Sequence, residues 1–225
     1  MPKITDIKEQ KRKGRFNIYL DGKFVLALPA ETLVKAGLFV GQQISKKDIK
    51  ILKDKDIKSK LYNQALMFLS YRPRSEKEVQ DYLFRKLQDS RIGENQLKIS
   101  DNQSCTKTVE RIVSKLKSLG LLDDTEFIKW WLEQRQKFRP KGKRSLRQEL
   151  RREGIADELI SQFLNFSISP ETEQETAKKL AEKRREQLKG LTYLKLRQKL
   201  TRFLVYRGFS YETIKLVLDE VLSKR

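Results

Sequence analysis

The spacing of hydrophobic positions changes once along the chain. Near the start, "RFNIYL" and "KFVLAL" are two strand-like runs around Asp21-Gly22. That dipeptide is favoured in two-residue turns, so the segment is predicted to be a β-hairpin. Pro29-Ala30-Glu31 opens a short helix ending near Gly37, and "LFVGQQIS" reads as a brief extended piece before Lys46. An isolated hairpin is marginal in water, so it is expected to pack on neighbouring helices or to gain another strand. From Asp48 onward the spacing is helical to the end.

The helical part is written in three related passages. Leu61, Ala65, Leu66 and Leu69 form one stripe, ended by Pro73. Ser75-Glu76-Lys77-Glu78 has the form of a capping box and leads into Val79, Tyr82, Leu83 and Leu87. Val109, Ile112, Val113, Leu116 and Leu119 make a third stripe, stopped by Gly120. A second unit starts at Asp123 or Asp124. It carries Phe127, Trp130, Trp131 and Leu132, breaks at Pro140 and Gly142, continues through Leu146 and Leu150 to Gly154, and closes with Leu159, Ile160, Phe163 and Leu164. Ser169-Pro170-Glu171 opens a third, whose long polar helix holds Ala177, Leu180, Ala181, Arg184 and Leu188 and ends near Gly190.

Two comparisons make this a repeat. "LRQELRREGIADELISQFL" from Leu146 and "LRQKLTRFLVYRGFSYETIKLVL" from Leu196 share L-R-Q-x-L, a Gly followed by an apolar residue, and a second amphipathic run. The later copy has about four more residues before its Gly, one added helical turn that preserves the buried face. The offset of about fifty residues suits a helical repeat. "YRPRSEKEV" from Tyr71 and "FRPKGKRSL" from Phe138 are then equivalent corners between helices, with "LKGLTYLKL" from Leu188 as the third. The expected fold is mainly α: an N-terminal hairpin-containing cap over 1–58, then helical repeats over 59–122 (with an insertion at about 88–106), 123–168 and 169–225.

Composition narrows the partners. The 225 residues include 50 Lys+Arg against 30 Asp+Glu, a formal net charge of +20. With 38% hydrophobic and 36% charged residues, thin helical layers fit better than a thick core. The positive field attracts polyanions: nucleic acid, an acidic protein surface or an anionic membrane. The N-terminus lacks an apolar signal region and no run approaches a membrane span, so the protein is expected to be soluble and cytoplasmic. The single Cys105 allows no internal disulfide.

Candidate enzyme chemistry is sparse. There is no His, and with one Cys there is no thiolate cluster for zinc. Phosphate-binding Gly-rich loops and nucleophile elbows are absent from the sequence, so no catalytic residue, cofactor or metal is expected. Asp123-Asp124 is the pair to test for magnesium; the structural alternative is that one Asp caps the following helix and the other favours its positive end.

Bases concentrate at the second corner. Between Glu133 and Ile155 stand Arg135, Lys137, Arg139, Lys141, Lys143, Arg144, Arg147, Arg151 and Arg152, against three acids. Helical spacing puts Arg144, Arg147, Arg151 and Arg152 on the side away from Leu146 and Leu150. Such a strip tracks phosphates with salt-sensitive affinity, or is simply a solvated face. Lys178-Lys179 and Lys183-Arg184-Arg185 form a second run, partly offset by Glu182 and Glu186. Tyr71, Trp130, Trp131, Phe138, Tyr206 and Phe209 are either core or stacking platforms, with Tyr71 and Phe138 the least core-like.

"ALMFLSYRPRSEKEVQDYLFRKL", "VERIVSKLKSLGLLDDTEFIKWWLEQR", "RPKGKRSLRQELRREGI" and "RGFSYETIKLVLDEV", in that order, resemble the RecX family of bacterial recombination regulators. The resemblance runs from about Leu61 to Leu222, and the hairpin segment is similar to an N-terminal extension of some members. It implies three tandem three-helix repeats in an elongated, curved array. It also implies a non-enzymatic modulator of homologous recombination and repair that lies in the groove of the RecA–DNA filament and inhibits ATPase, strand exchange and coprotease activity. Two departures are the longer link from about Gln88 to Thr106 and the bulky Phe138-Arg139 where a Gly-containing corner is common. RecA, single-stranded DNA and, as a second target, double-stranded DNA are the implied partners of a monomer. Arg72, Arg74, Arg139, Lys141, Lys143, Arg144, Arg147, Arg151 and Arg207 are the candidate filament or phosphate contacts. Two rivals stand beside this reading: a DNA-binding protein acting without RecA, its helix-turn-helix being "LRQELRREGIADELISQFL", and a magnesium nuclease using Asp123, Asp124 and Glu126.

Overall fold

Asp21 and Gly22 both have positive φ (47° and 77°), the backbone that a two-residue hairpin turn of matching twist requires. They join β2 (Arg15–Leu20) to β3 (Lys23–Pro29), and β1 (Ile4–Glu9) adds antiparallel to the outer side of β2, giving the order β1-β2-β3. The computed structural model describes residues 1–11, 14–88 and 102–223, and among these the chain forms three strands and ten helices. By its contacts the chain divides into two units, one of residues 1–68 with 82–112 and the other of residues 69–81 with 113–225.

The first unit holds the sheet. Ile4, Ile18, Leu20, Leu26 and Leu28 alternate onto its inner face and bury with Leu38, Ile44 and Leu52. Helix α1 (Ala30–Lys35) follows β3 directly after Pro29. The extended piece expected around "LFVGQQIS" reduces to turns and one bridge, Lys3 to Gln43, because positive φ at Gly37 and Gly41 bends the backbone just before it and within it. Helix α2 (Lys46–Ser70) runs unbroken past residue 58. Arg15 anchors the sheet to it, donating to the Ala27 carbonyl at 2.7 Å and to both carboxylate oxygens of buried Asp56 at 3.0 and 3.1 Å. Phe68 near the end of α2 stacks on Tyr82 with centroids 4.2 Å apart.

Three sets of helices follow the pattern of repeats. After α2 come α3 (Glu76–Gln88) and α4 (Asn102–Ser118); most of the expected insertion, residues 89–101, lies outside the described residues, and Cys105 sits half-buried on α4. The second set is α5 (Asp124–Phe138), α6 (Lys143–Arg152) and α7 (Asp157–Ser167), around Phe127, Ile128, Leu146, Leu150, Ile155, Ile160 and Leu164. The third is α8 (Pro170–Glu186), α9 (Tyr193–Tyr206) and α10 (Tyr211–Ser223). In it the small Ala177 and Ala181 of α8 bury among Leu200, Leu204, Val217, Leu218 and Val221 of α9 and α10. Helix α9 has 14 residues where α6 has 10, the added turn expected from the sequence.

Identical closures end α4, α6 and α9. Gly120, Gly154 and Gly208 each donate to the carbonyl three residues back, while Leu121, Ile155 and Phe209 donate to Leu116, Leu150 and Leu204. This Schellman geometry sets the apolar residue after each Gly over the last buried Leu of its helix.

Candidate nucleic-acid interface

The corner between α5 and α6 is fixed by its neighbours in the third repeat. Gly142 donates to the Arg207 carbonyl at 3.0 Å, and Arg144 donates to the Gly208 carbonyl at 3.2 Å. A Cβ on Gly142 would stand 2.4 Å from the Gly208 oxygen, so the two backbones meet where no side chain fits. Gly142 therefore offers no side-chain cap to α6. Buried Glu173 of α8 takes that role, accepting from the Lys143 amide at 2.8 Å.

Some of the corner's bases are committed internally. Glu149 of α6 accepts from Trp131 Nε1 at 3.0 Å, from Arg135 Nε at 2.7 Å and from Lys141 Nζ. Burial pushes the Glu149 carboxyl up, but the hydrogen bonds from Lys141 and Arg135 outweigh it and hold the group below its ordinary 4.5. Arg135 also lies on the Trp131 ring, 4.3 Å from its centre. Arg151 pairs with Asp157 at the start of α7, at 2.5 and 3.0 Å. Arg139, Lys143, Arg144 and Arg147 make no salt bridge among the described residues; Arg139 and Arg144 are exposed, and Lys143 and Arg147 are half-buried.

Packing adds bases that sequence spacing did not place here. An open cleft of about 370 Å³ is lined by Phe138, Arg139, Lys183, Arg184, Phe203 and Arg207, with no carboxylate on its wall among the described residues. Arg207 donates to the Pro140 carbonyl at 3.2 Å and lies 5.1 Å from the Phe203 ring centre. Arg184 covers the same ring at 5.7 Å and donates to Gln187 at 2.7 Å. Lys183 and Arg184 stand out in the sequence only as a charge run on α8. Nothing local links them to Arg139, 44 and 45 positions earlier in the chain.

The first corner is wired differently. Ser75 and Glu78 form the reciprocal capping box, Glu78 N–H donating to Ser75 Oγ at 3.1 Å and Ser75 N–H donating to Glu78 Oε2 at 3.3 Å. Glu78 also receives Arg72 in a two-pronged pair at 2.6 and 3.0 Å and Arg74 at 3.4 Å. Arg72 is further held 4.9 Å from the centre of the Trp130 ring. Lys77 donates to the Arg152 carbonyl at 2.9 Å, beside Gly154.

The Asp123-Asp124 pair serves two helices. Asp123 is the N-cap of α5 and accepts from Thr125 N–H at 2.7 Å. Asp124 turns to α3 and accepts from the Glu76 amide at 2.8 Å, and burial pushes its carboxyl above the ordinary 3.8. Asp123 is thus the cap and Asp124, in the first turn of α5, the acid at its positive end, as the sequence reading has it, and Asp124 also caps α3. Glu126 pairs with Lys129 at 2.7 Å, and among the described residues no group of three carboxylate, Cys or His side chains is arranged to hold a metal ion.

These observations define a class first: a basic protein of helical repeats whose second corner carries cations that make no salt bridge among the described residues. Family models described as RecX N-terminal domain and as its first, second and third three-helix domains match residues 2–45, 62–91, 123–164 and 171–218. "Regulatory protein RecX" of Bacillus licheniformis is 37% identical over 98% of this chain and 78% of its own length, and that of Bacillus subtilis is 33% identical with the same coverage. A crystal structure described as regulatory protein RecX superimposes with a TM-score of 0.70 at 30% identity, covering 97% of this chain and all of the other. The chain belongs to the RecX family of regulatory proteins.

Proposed function

We propose that this protein regulates the RecA recombinase by binding the groove of its filament on DNA, restraining ATPase, strand exchange and coprotease activity without catalysing a reaction itself. Family membership supports the regulatory role. The observation that carries the mode of action is the second corner, where Arg139, Lys143, Arg144 and Arg147 make no salt bridge among the described residues and are set on a backbone locked to the next repeat. Rigidly spaced cations gain affinity for phosphates by releasing counterions, and successive weak contacts along a filament add through their shared frame. Arg72 and Arg74, shared with Glu78, have less charge to offer, and Lys141 is committed to Glu149. As a cytoplasmic monomer acting on a bacterial recombinase, the protein needs no membrane partner, and none of its described helices is long and apolar enough to cross a membrane.

The helix-turn-helix rival gains little from α7. That helix contains no Lys or Arg and starts with Asp157 and Glu158, a poor N-terminus to place against phosphates.

The test is RecA ATPase on single-stranded DNA at two salt concentrations, with wild type and with Arg139, Lys143 and Arg144 changed together to Ala. Lys141 is left intact because it holds Glu149. Wild type is expected to suppress turnover below one copy per recombinase, with the variant markedly weaker at low salt and the gap narrowing at high salt, since wild type has more phosphate contacts to lose. If wild type leaves turnover unchanged while still binding DNA, the regulator reading fails.

A further inference from the structure

We infer that the cleft between the second corner and helices α8 and α9 is a nucleotide subsite, built to hold one unpaired base and its phosphate from a single-stranded nucleic acid. This rests on the proposed action at DNA, and it adds which strand form is read and by which side chains.

Phe138 ends α5 with 66% of its surface exposed, although it lies four residues before Gly142, where the corner is hydrogen-bonded to the Arg207 carbonyl. Its ring is flanked by Lys137, 5.4 Å from the centroid. Across the cleft Phe203 is held beneath Arg184 and Arg207. The two guanidinium groups are oriented by neutral acceptors, Gln187 Oε1 and the Pro140 carbonyl, which fix position without cancelling charge. Arg139 and Lys183 complete the wall and make no salt bridge among the described residues. Four cations, an exposed ring and about 370 Å³ of open volume match a phosphate with its attached base.

The rings decide between polyanions. An acidic polypeptide would satisfy the cations, but the face of a phenyl ring carries negative potential and gives a carboxylate nothing. A base gains by stacking on that face, and only a base outside a duplex is available to do so. The cleft therefore favours single strands, whereas a purely electrostatic surface would favour the denser charge of a duplex.

The experiment uses the full chain without recombinase and measures fluorescence anisotropy of a labelled thymidine oligonucleotide of about 15 nucleotides. A duplex of equal length and poly-L-glutamate are measured in parallel. Phe138→Ala is expected to weaken single-strand binding about 10-fold and leave duplex binding unchanged, with Phe138→Trp restoring it. Arg139→Ala and Lys183→Ala are each expected to lower the salt slope by about one. Equal single-strand binding by wild type and Phe138→Ala overturns the inference. So does an equal Phe138-dependent loss toward poly-L-glutamate, which would give the cleft to acidic chains. RecA ATPase run beside these assays separates the two readings. Suppression by wild type without any Phe138 effect on oligonucleotide binding refutes the cleft alone. Phe138-dependent oligonucleotide binding without suppression refutes the regulator reading and leaves the cleft standing.

Discussion

Tyr71–Val79 and Phe138–Leu146 share the same aromatic-Arg-Pro-base opening and three non-helical residues, from the Pro onward, before the next helix, yet their charges have opposite fates. The first has Glu76 and Glu78 where the second has Lys143 and Ser145. In the first, Glu78 gathers Arg72 and Arg74 while closing the capping box with Ser75. In the second, Arg139 faces no such carboxylate, and Gly142, in the place of Ser75, gives up self-capping for a backbone contact with Gly208. Both helices still receive an acid from the next repeat, Asp124 on the Glu76 amide and Glu173 on the Lys143 amide. The repeat thus preserves the joint and varies only which bases remain available. One corner is a structural knot and the other a surface for anions.

The contrast is broken most severely at Gly142. Its φ of −75° suits any residue, so the cost of Gly142→Ala comes from contact with the Gly208 and Phe209 backbone, which cannot retreat as a side chain could. The expected loss is about 3 kcal/mol, from overpacking plus weakened backbone hydrogen bonds, seen as a fall of about 6–12 °C in Tm. A fall below about 2 °C would show that the joint yields easily.

Arg72→Ala and Arg139→Ala make the next largest test because they are equivalent positions with opposite expectations. Arg72 stands on Trp130 and closes a two-pronged pair, so its loss is expected to destabilise by about 2 kcal/mol and to leave oligonucleotide affinity nearly unchanged. Arg139 has no such ties, and its loss is expected to leave Tm unchanged while reducing the salt slope of binding by about one. Thermal melts and anisotropy titrations on both proteins decide this; matching profiles would erase the distinction between the corners.

The division between these arginines was not drawn from the sequence, which offered Arg72, Arg74 and Arg139 alike as contacts, although the aligned corners set Glu78 against Ser145. The hairpin at Asp21-Gly22 and the added turn of α9 were legible because local spacing and turn chemistry determine them. Strand β1 was not, because Ile4 is its one buried residue and the rest of "ITDIKE" reads as a polar segment. The second role of Asp124, capping α3, was not legible because its partner, Glu76, lies 48 positions away and reaches it only through tertiary packing. The cleft was illegible for the same cause, as Lys183 and Arg184 meet Arg139 only once α8 is laid beside the corner.

Acid titration should distinguish Asp124 from Glu149. Burial raises the Asp124 pKa, so the folded state binds more protons, and its contribution to stability declines as pH rises from about 3.8 through the raised value. Glu149 is held below 4.5, so its contribution is full above that pH and is lost as pH falls through the lowered value. Asp124→Asn keeps an oxygen for the Glu76 amide and is expected to flatten the decline, giving a protein at least as stable as wild type at neutral pH. Glu149→Gln is expected to remove the acid-side loss and to lower stability at neutral pH, since Arg135 and Lys141 lose their counter-charge. Urea melts from about pH 3 to 7 give both slopes, and slopes of the same sign would contradict the assignment.

Ser75→Ala has the smallest expected effect and separates two jobs that Glu78 performs at once. The hydroxyl accepts from the Glu78 amide, and its loss leaves that donor without its cap in a fully buried place, costing about 1 kcal/mol or about 2–4 °C in Tm. The Glu78 carboxylate keeps Arg72, Arg74 and the backbone amide at position 75, none of which requires the hydroxyl. Oligonucleotide affinity and its salt slope are therefore expected to stay at wild-type values. A rise in either would mean that the cap is what holds Glu78 against the two arginines, so that losing it frees their charge and turns the first corner toward the second.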